Sequence, residues 1–113
     1  MTFTAGREND VTVFAMEGEL TVGNRQELKR GVLDAVTNGE RKILIDFART
    51  SYIDSSGLGA LVSLSKRVRE SGGELRLAAL NDDLATLFEL TRLDTLFHIA
   101  PDRSAALADL TDR

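Results

Sequence analysis

The pattern of hydrophobic and polar positions predicts strands and helices that alternate along the chain. Apolar residues two positions apart are typical of strands, whereas apolar residues three and four positions apart are typical of amphipathic helices. The pattern predicts strands at residues 3–8, 11–17, 42–47, 74–80 and 96–100. Helices are predicted from Asn24 to about residue 37, from an Asp-Ser-Ser turn to about residue 70, after residues 81–83, and after Pro101.

These elements predict a layered α/β domain with right-handed crossovers. The run Ile43-Leu44-Ile45 has no polar position, which favours a strand buried on both faces, and the run 11–17 has no strongly polar face either. A loop is predicted at residues 18–23, a hairpin turn at Asn9-Asp10, and buried positions at Leu107 and Leu110. We predict one α/β domain over residues 1–113, with a mixed central β-sheet of about four to five strands and about four helices.

Composition narrows the classes of partner. The formal net charge is −4, and no cluster of basic residues exceeds three, which argues against nucleic acid or an anionic membrane as the main partner. Cysteine is absent and no apolar run approaches the length of a membrane span. We expect a cytoplasmic protein that is a monomer in solution.

The most informative segment is Ile53-Asp54-Ser55-Ser56-Gly57-Leu58-Gly59, between a predicted strand and a predicted helix. Side-chain oxygens at such a turn cap free backbone N–H groups. The positive end of the helix dipole also favours negative charge there, so an exposed hydroxyl at this position is suited to carry a phosphate.

A helical wheel for residues 56–70 predicts a small-residue surface beside these serines. The wheel directs Leu58, Leu61, Val62, Ser65 and Val68 to the core, and directs Ser56, Gly59, Ala60 and Ser63 outward. Solvent-facing helix positions more often carry Glu, Lys or Gln, and glycine in a helix costs roughly 1 kcal/mol relative to Ala. Tight packing explains Gly57 well, but it explains Gly59, Ala60 and Ser63 less well. We interpret the small residues as a docking surface for a partner that must approach the hydroxyl.

Enzyme constellations are poorly supported. His98 is the single histidine and lies between Phe97 and Ile99 in an apolar segment, where a hydrogen-bonded or edge-exposed histidine is the better interpretation. Asp54-Ser55-Ser56-Gly57 lacks the first glycine of a nucleophile elbow, and Gly57-Leu58-Gly59 lacks the third glycine of a dinucleotide loop. The carboxylates do not cluster as metal ligands do. We expect no cofactor, no metal and no catalytic residue.

These residues resemble the STAS domain, and in particular the bacterial anti-sigma factor antagonists. The resemblance covers nearly the whole chain and depends most on the Asp-Ser-Ser-Gly-Leu-Gly order between strand and helix. Weaker blocks are Gly18-Glu19-Leu20, Ile43-Leu44-Ile45-Asp46-Phe47, Gly72-Gly73-Glu74-Leu75 and Leu87-Phe88-Glu89-Leu90-Thr91.

The resemblance implies a protein that is not an enzyme and is switched by phosphorylation. In the family, the unmodified protein binds an anti-sigma factor that is also a serine kinase, and so frees the sigma factor. Phosphorylation of the serine after the aspartate separates the pair, and a serine phosphatase resets it. Carried over by position, the phosphorylation site is Ser55, with Asp54 and Ser56 shaping the turn. Gly57, Gly59, Ala60, Ser63 and Thr21 complete the expected partner-binding set.

One residue departs from the family pattern, and alternative functions stay open. The family often has an aspartate after Gly-Glu-Leu where this chain has Thr21, in a loop that lies beside the serine turn in the family fold. The alternative function is a STAS scaffold in a stress-signalling complex, or a partner of a membrane transport system, without a phospho-switch. Nucleotide binding is a third class, supported only by glycines near a helix N-terminus.

Overall fold

The computed structural model describes residues 2–111 of the 113-residue chain. Residues 1, 112 and 113, which the predicted domain includes, lie outside this part. In residues 2–111, the chain forms one five-stranded sheet in the order β1-β2-β3-β4-β5. The strands are β1 (Phe3–Glu8), β2 (Val11–Leu20), β3 (Lys42–Ile53), β4 (Glu74–Ala78) and β5 (His98–Ala100). β1 pairs antiparallel with β2, and the remaining neighbours are parallel, so the predicted mixed sheet is confirmed.

Within the described part of the chain, four α-helices connect or follow the strands, as predicted. They are α1 (Arg25–Thr37), α2 (Ser55–Glu70), α3 (Asp82–Leu90) and α4 (Arg103–Thr111), with a short 3₁₀ helix at Leu93–Thr95. α1, α2 and α3 follow β2, β3 and β4 respectively, which gives consecutive crossover units.

The core has two layers because helices cover both faces of the sheet. The larger layer joins α1, α2 and α3 to one face through buried residues that include Leu28, Leu61, Phe88 and Ile45. The smaller layer lies on the other face, where α4 packs through Ala106 and Leu110 onto Val11, Val13, Leu44 and Ala78. The prediction that the second and third strands are covered on both sides is therefore confirmed.

Two strands extend further than the hydrophobic pattern predicted. The predicted loop at residues 18–23 is wrong at its start, because β2 continues to Leu20, and β3 continues six residues past Phe47 to Ile53. Gly18 has φ 78°, and beside it the register shifts from Gly18–Thr50 to Glu19–Tyr52, so Ser51 of β3 is the extra residue of a β-bulge. The pattern missed the extension because a bulge interrupts the alternation that identifies a strand.

Three smaller predictions near the C-terminus also need correction. β4 ends at Ala78, because Ala79 adopts φ 64° and the chain leaves the sheet. Leu96 is exposed and precedes β5 instead of beginning it, since the 3₁₀ helix occupies the segment before it. In α4 the buried residues are Ala106 and Leu110, while Leu107 is only partly buried.

Candidate functional site at the serine turn

The extended parts of β2 and β3 place two loops side by side. Leu20 and Ile53 are register partners at the ends of these strands, and the Asp54 N–H donates to the Leu20 carbonyl oxygen at 3.1 Å. Because the strands are parallel, the chain leaves both at the same edge of the sheet. The Thr21 loop and the serine turn therefore meet there.

Asp54 is the residue that joins the two loops. It is the N-cap of α2 in an extended conformation, and its Oδ1 accepts the Gly57 N–H at 2.7 Å. Its Oδ2 accepts the Val22 N–H from the neighbouring loop at 3.1 Å. One carboxylate thus caps the helix and fixes the adjacent loop.

The loop that contains Thr21 is held by its own hydrogen bonds. The Thr21 N–H donates to Asn24 Oδ1 at 2.8 Å, and the Gly23 N–H donates to Thr21 Oγ1 at 3.2 Å. Asn24 Nδ2 donates to the Glu19 carbonyl oxygen at 2.6 Å. The hydroxyl of Thr21 therefore stabilises the loop internally, beside the serine turn.

Ser55 is the exposed first residue of α2. Its hydroxyl forms no hydrogen bond with any of residues 2–111, and Ser56 beside it is partly buried and likewise unbonded through its hydroxyl. The first intrahelical bond runs from the Leu58 N–H to the Asp54 carbonyl oxygen at 3.0 Å. The hydroxyl of Ser55 is therefore exposed at the positive end of the helix and held by none of residues 2–111.

The two glycines of the turn differ in their surroundings. A Cβ on Gly57 would lie 2.6 Å from the Leu20 carbonyl oxygen and 2.9 Å from Ile53 Cγ2. A Cβ on Gly59 would have no atom within 4 Å. Gly57 lets the first turn of α2 approach the strand ends, whereas Gly59 leaves the outer surface flat.

The predicted faces of α2 are wrong at Ala60, which is buried, and at Val62, which is exposed; Gly57 of the expected partner-binding set is buried as well. Ala60 is only 4% exposed and Gly57 is also buried, so neither is available to a docking partner. The buried stripe contains Gly57, Ala60, Leu61, Leu64 and Val68, with Leu58 and Ser65 only partly buried. The helical wheel predicted the wrong rotation of α2 about its axis, because it placed Leu58 at the centre of the buried face. In the structure, the close approach of Gly57 to the strand ends sets this rotation. Ser56, Gly59 and Ser63 stay at least partly exposed.

Exposed apolar side chains occur on the elements that form or adjoin the serine turn, and the sequence analysis missed them. Val22 is 64% exposed, Tyr52 is 52% exposed and Val62 is 38% exposed. Val22 lies in the loop bonded to Asp54, and Tyr52 is near the end of β3. Val62 follows Ser55 by seven residues, so both lie on one face of α2 with Gly59 between them. The sequence offered one signal for Val22, which is an apolar residue in a predicted loop. For Val62 it offered none, because its outward direction depends on the rotation of α2 in the folded protein.

No metal-binding cluster is found in the part of the chain that is described. Residues 2–111 contain no group of three or more His, Asp or Glu side chains that could hold a metal ion. His98 lies exposed at the start of β5, away from the serine turn. No helix within residues 2–111 has the length and apolar character needed to cross a membrane.

The described groups with shifted pKa values lie away from the serine turn. The hydrogen bond from Lys42 lowers the pKa of Asp10 below 3.8, in the turn between β1 and β2. The hydrogen bond to Asp46 raises the pKa of Arg103 on α4. Both shifts reflect ion pairs that support the fold.

Known proteins are similar to this chain in sequence and in fold. The sequence profile of the STAS domain matches residues 3–106. The anti-sigma-B factor antagonist of Staphylococcus aureus is 34% identical over 82 residues, which cover 73% of this chain and 76% of that protein. TM1081 of Thermotoga maritima is 28% identical, and its crystal structure matches with a TM-score of 0.90 over 96% of this chain and 94% of that chain.

A further solved structure records a modified state. It is Bacillus SpoIIAA in its phosphorylated form, which matches with a TM-score of 0.75 and 19% identity over 95% of this chain and 97% of that chain. At that identity the likeness shows the fold alone. The resemblance predicted from the sequence is confirmed by these comparisons.

Proposed function

Because this chain belongs to the STAS domain family, we propose that it is an anti-sigma factor antagonist that is switched off by phosphorylation of Ser55. Its unmodified form binds an anti-sigma factor with serine kinase activity, and the sigma factor is released. The observation that carries this proposal is the exposed hydroxyl of Ser55 at the N-terminus of α2, which has no hydrogen-bond partner among residues 2–111. The name of the Staphylococcus aureus relative supports the class of partner.

The apolar surface around Ser55 is the part of the molecule that we assign to partner binding. We define the Ser55 surface as Val22, Tyr52, Gly59, Val62 and Ser63 together with Ser55 and Ser56. Exposed apolar residues contribute most to association when they are buried at the centre of an interface. Thr21 and Asp54 contribute indirectly, since they hold the Val22 loop against the turn.

A phosphate on Ser55 would disrupt binding without disrupting the fold. It adds about −1.5 to −2 charges at neutral pH, and the positive end of α2 accommodates them. The same charge placed in an apolar interface must lose its water without gaining a partner, which disfavours the complex. The kinase thereby releases its own antagonist, and a serine phosphatase restores the binding form.

The protein then needs no catalytic group of its own. The kinase supplies the phosphoryl-transfer chemistry and the phosphatase supplies the hydrolysis, so both are transient or regulated partners. We place this exchange in the cytoplasm, where sigma factors act on RNA polymerase, with the antagonist as a monomer.

Phosphopeptide mapping tests the proposal directly. The chain is incubated with ATP and a lysate of the source cells, and the tryptic peptide 50–66 is fragmented to localise the modification among its five serines, Ser51, Ser55, Ser56, Ser63 and Ser65. Ser55→Ala and Ser56→Ala are matched variants, because they remove neighbouring hydroxyls at the same turn. We expect a single phosphate on Ser55 that is lost only in Ser55→Ala.

The outcome also separates the proposal from a constitutive scaffold. If a known antagonist is phosphorylated in the same lysate while this chain is not, the phospho-switch is wrong. A stable complex that is indifferent to Ser55 would then favour a STAS scaffold.

A further inference from the structure

A second concave site lies at the carboxyl ends of β4 and β5, away from Ser55. It is a crevice of about 360 Å³, with Leu80, Phe88, Ile99 and Pro101 among its apolar lining residues. Glu89 of α3 and Asp94 of the 3₁₀ helix also line it. The volume is at the lower end of the range typical of small-molecule sites, roughly 300–1,000 Å³.

The topology explains why a crevice forms at this place. β2, β3 and β4 are each followed by a helix on the same face of the sheet, where α3 packs through Leu84 and Phe88. β5 is followed by α4, which packs on the opposite face through Ala106 and Leu110. Neighbouring strands whose connections leave to opposite faces open a cleft at their carboxyl ends, and ligands of open α/β sheets bind in such clefts. Among residues 2–111, β4 and β5 are the one adjacent parallel pair with this property.

The floor of the crevice is held in a defined conformation. Ala79 directly follows β4, and its N–H donates to the Ala100 carbonyl oxygen at 3.1 Å. Its φ of 64° turns the chain out of the sheet, so that Leu80 becomes part of the wall. The strand ends therefore stay joined beneath the cavity while the two helices diverge above it.

The charges around the crevice select the class of ligand. Neither Glu89 nor Asp94 forms an ion pair or side-chain hydrogen bond with any residue from 2 to 111. Both carboxylates are exposed, and the other lining residues are apolar. An apolar cavity with two unneutralised carboxylates complements a molecule that combines a hydrocarbon body with a positive group.

We propose that this crevice binds a small organic cation, such as a primary alkyl ammonium, with its hydrocarbon part against Leu80, Phe88 and Ile99 and its charge toward Glu89 and Asp94. The site is independent of the Ser55 surface and of the proposed phospho-switch. Its occupancy does not require a partner protein.

Titration of the ¹⁵N-labelled chain with three six-carbon probes tests the assignment. Hexylammonium, hexanol and hexanoate share a hydrocarbon body but carry positive, neutral and negative head groups. We expect saturable shifts of the Ala85, Ile99 and Ala100 amides with hexylammonium, at least about fivefold weaker binding of hexanol, and weaker binding still of hexanoate. Equal binding of the three probes would overturn the cation assignment.

Two pairs of substitutions distinguish an effect of the two crevice carboxylates from an effect of the overall net charge. Glu89→Gln with Asp94→Asn should reduce hexylammonium affinity to that of hexanol and leave hexanol unchanged. The control pair Asp34→Asn with Glu70→Gln makes the same change in net charge at exposed positions outside the crevice, and should leave all three affinities unchanged. Ala85→Leu should weaken every probe by filling the cavity. Saturable shifts that survive Ala85→Leu, or that centre outside the crevice, would overturn the site itself.

Discussion

Ser55 is both the first residue of α2 and the proposed phosphorylation site, so a substitution there can affect folding stability and partner binding. A negative group at the first position of α2 is compatible with the helix dipole, which stabilises such charges by about 0.3–1 kcal/mol. The Ser55→Asp variant should therefore unfold in urea at the same midpoint as the wild-type chain or slightly above it. Its binding to the purified kinase should be at least about tenfold weaker by calorimetry, because the charge enters an apolar interface unpaired.

A matched control for this variant exists on α4. Ser104 is an exposed residue in the first turn of α4, on the opposite face of the sheet. Ser104→Asp adds the same charge to a similar helix position and should leave kinase affinity unchanged. Equal affinity of the kinase for Ser55→Asp and wild type would refute the electrostatic mechanism.

Gly57 and Gly59 should respond in opposite directions to the same substitution. Gly57→Ala should destabilise the fold by about 1–3 kcal/mol, because its Cβ would lie 2.6 Å from the Leu20 carbonyl oxygen. Gly59→Ala should stabilise it by about 0.5–1 kcal/mol, since its Cβ would meet nothing and alanine favours helix. Urea unfolding of both variants measures the difference. Similar effects at the two positions would show that α2 does not approach the strand ends as described.

At the scale of secondary-structure elements, Asp54 connects the N-terminus of α2 to the loop that contains Val22. Its two oxygens accept N–H groups from Gly57 and Val22. Asn81, the N-cap of α3, accepts the Leu84 N–H through its Oδ1 and donates through its Nδ2 to the Thr50 carbonyl oxygen at 3.3 Å. Asp54→Ala should cost about 2–3 kcal/mol, the loss of a cap plus a charge-assisted hydrogen bond. Asn81→Ala should cost about 1–2 kcal/mol, because it removes a cap and a neutral hydrogen bond to the Thr50 carbonyl oxygen.

Hydrogen exchange distinguishes the loop connection from the cap. In Asp54→Ala the Val22 amide should exchange much faster, while in Asn81→Ala it should stay protected. An unchanged Val22 amide in Asp54→Ala would mean that the Thr21 loop is held by its internal bonds alone.

Within the whole molecule, α4 is attached to the sheet by a small apolar layer and by ion pairs. Arg103 Nε donates to Asp46 Oδ2 at 2.7 Å, and Arg76 Nε donates to Asp109 Oδ2 at 2.8 Å. Asp46 is buried, but the Arg103 side chain is 40% exposed, so solvent screens part of this interaction. Asp46→Asn should destabilise the protein by about 1–3 kcal/mol and raise hydrogen exchange in α4 before other helices. Uniform exchange across all helices would contradict a separately attached α4.

The exposed ion pair between Lys42 and Asp10 should make a contribution to stability that depends on pH. Lys42 Nζ lies 2.8 Å from Asp10 Oδ2 and lowers the pKa of Asp10 below 3.8. Because the folded-state pKa is the lower one, the contribution of this pair is present above the unfolded-state pKa and is lost as the pH falls through the folded-state value. Asp10→Asn should therefore lower stability slightly at pH 7, and the difference from wild type should shrink as the pH falls below 3.8. A difference that is constant with pH would show that the pair is not responsible.

Sequence alone determined the class of fold and the position of the serine turn. The strand-like and helix-like spacings of apolar residues, which alternate along the chain, are local properties of the sequence. The order Asp-Ser-Ser-Gly indicates a capped helix start, which needs no contact with distant residues. For the same reason Ser55 and Asp54 could be assigned to the turn from the sequence, and the family resemblance followed from them.

Only the tertiary structure decided which residues surround that turn. The rotation of α2 depends on Gly57 packing against Leu20, a residue far away in sequence, so the outward direction of Val62 and the burial of Ala60 could not be predicted. The bond from Val22 to Asp54 depends on a bulged strand register, and the crevice beside Phe88 depends on α4 crossing to the other face. Local sequence patterns predict helices and strands because the interactions that form them act between residues close in sequence. The Ser55 surface and the crevice instead form where helices and strands that are distant in sequence pack together.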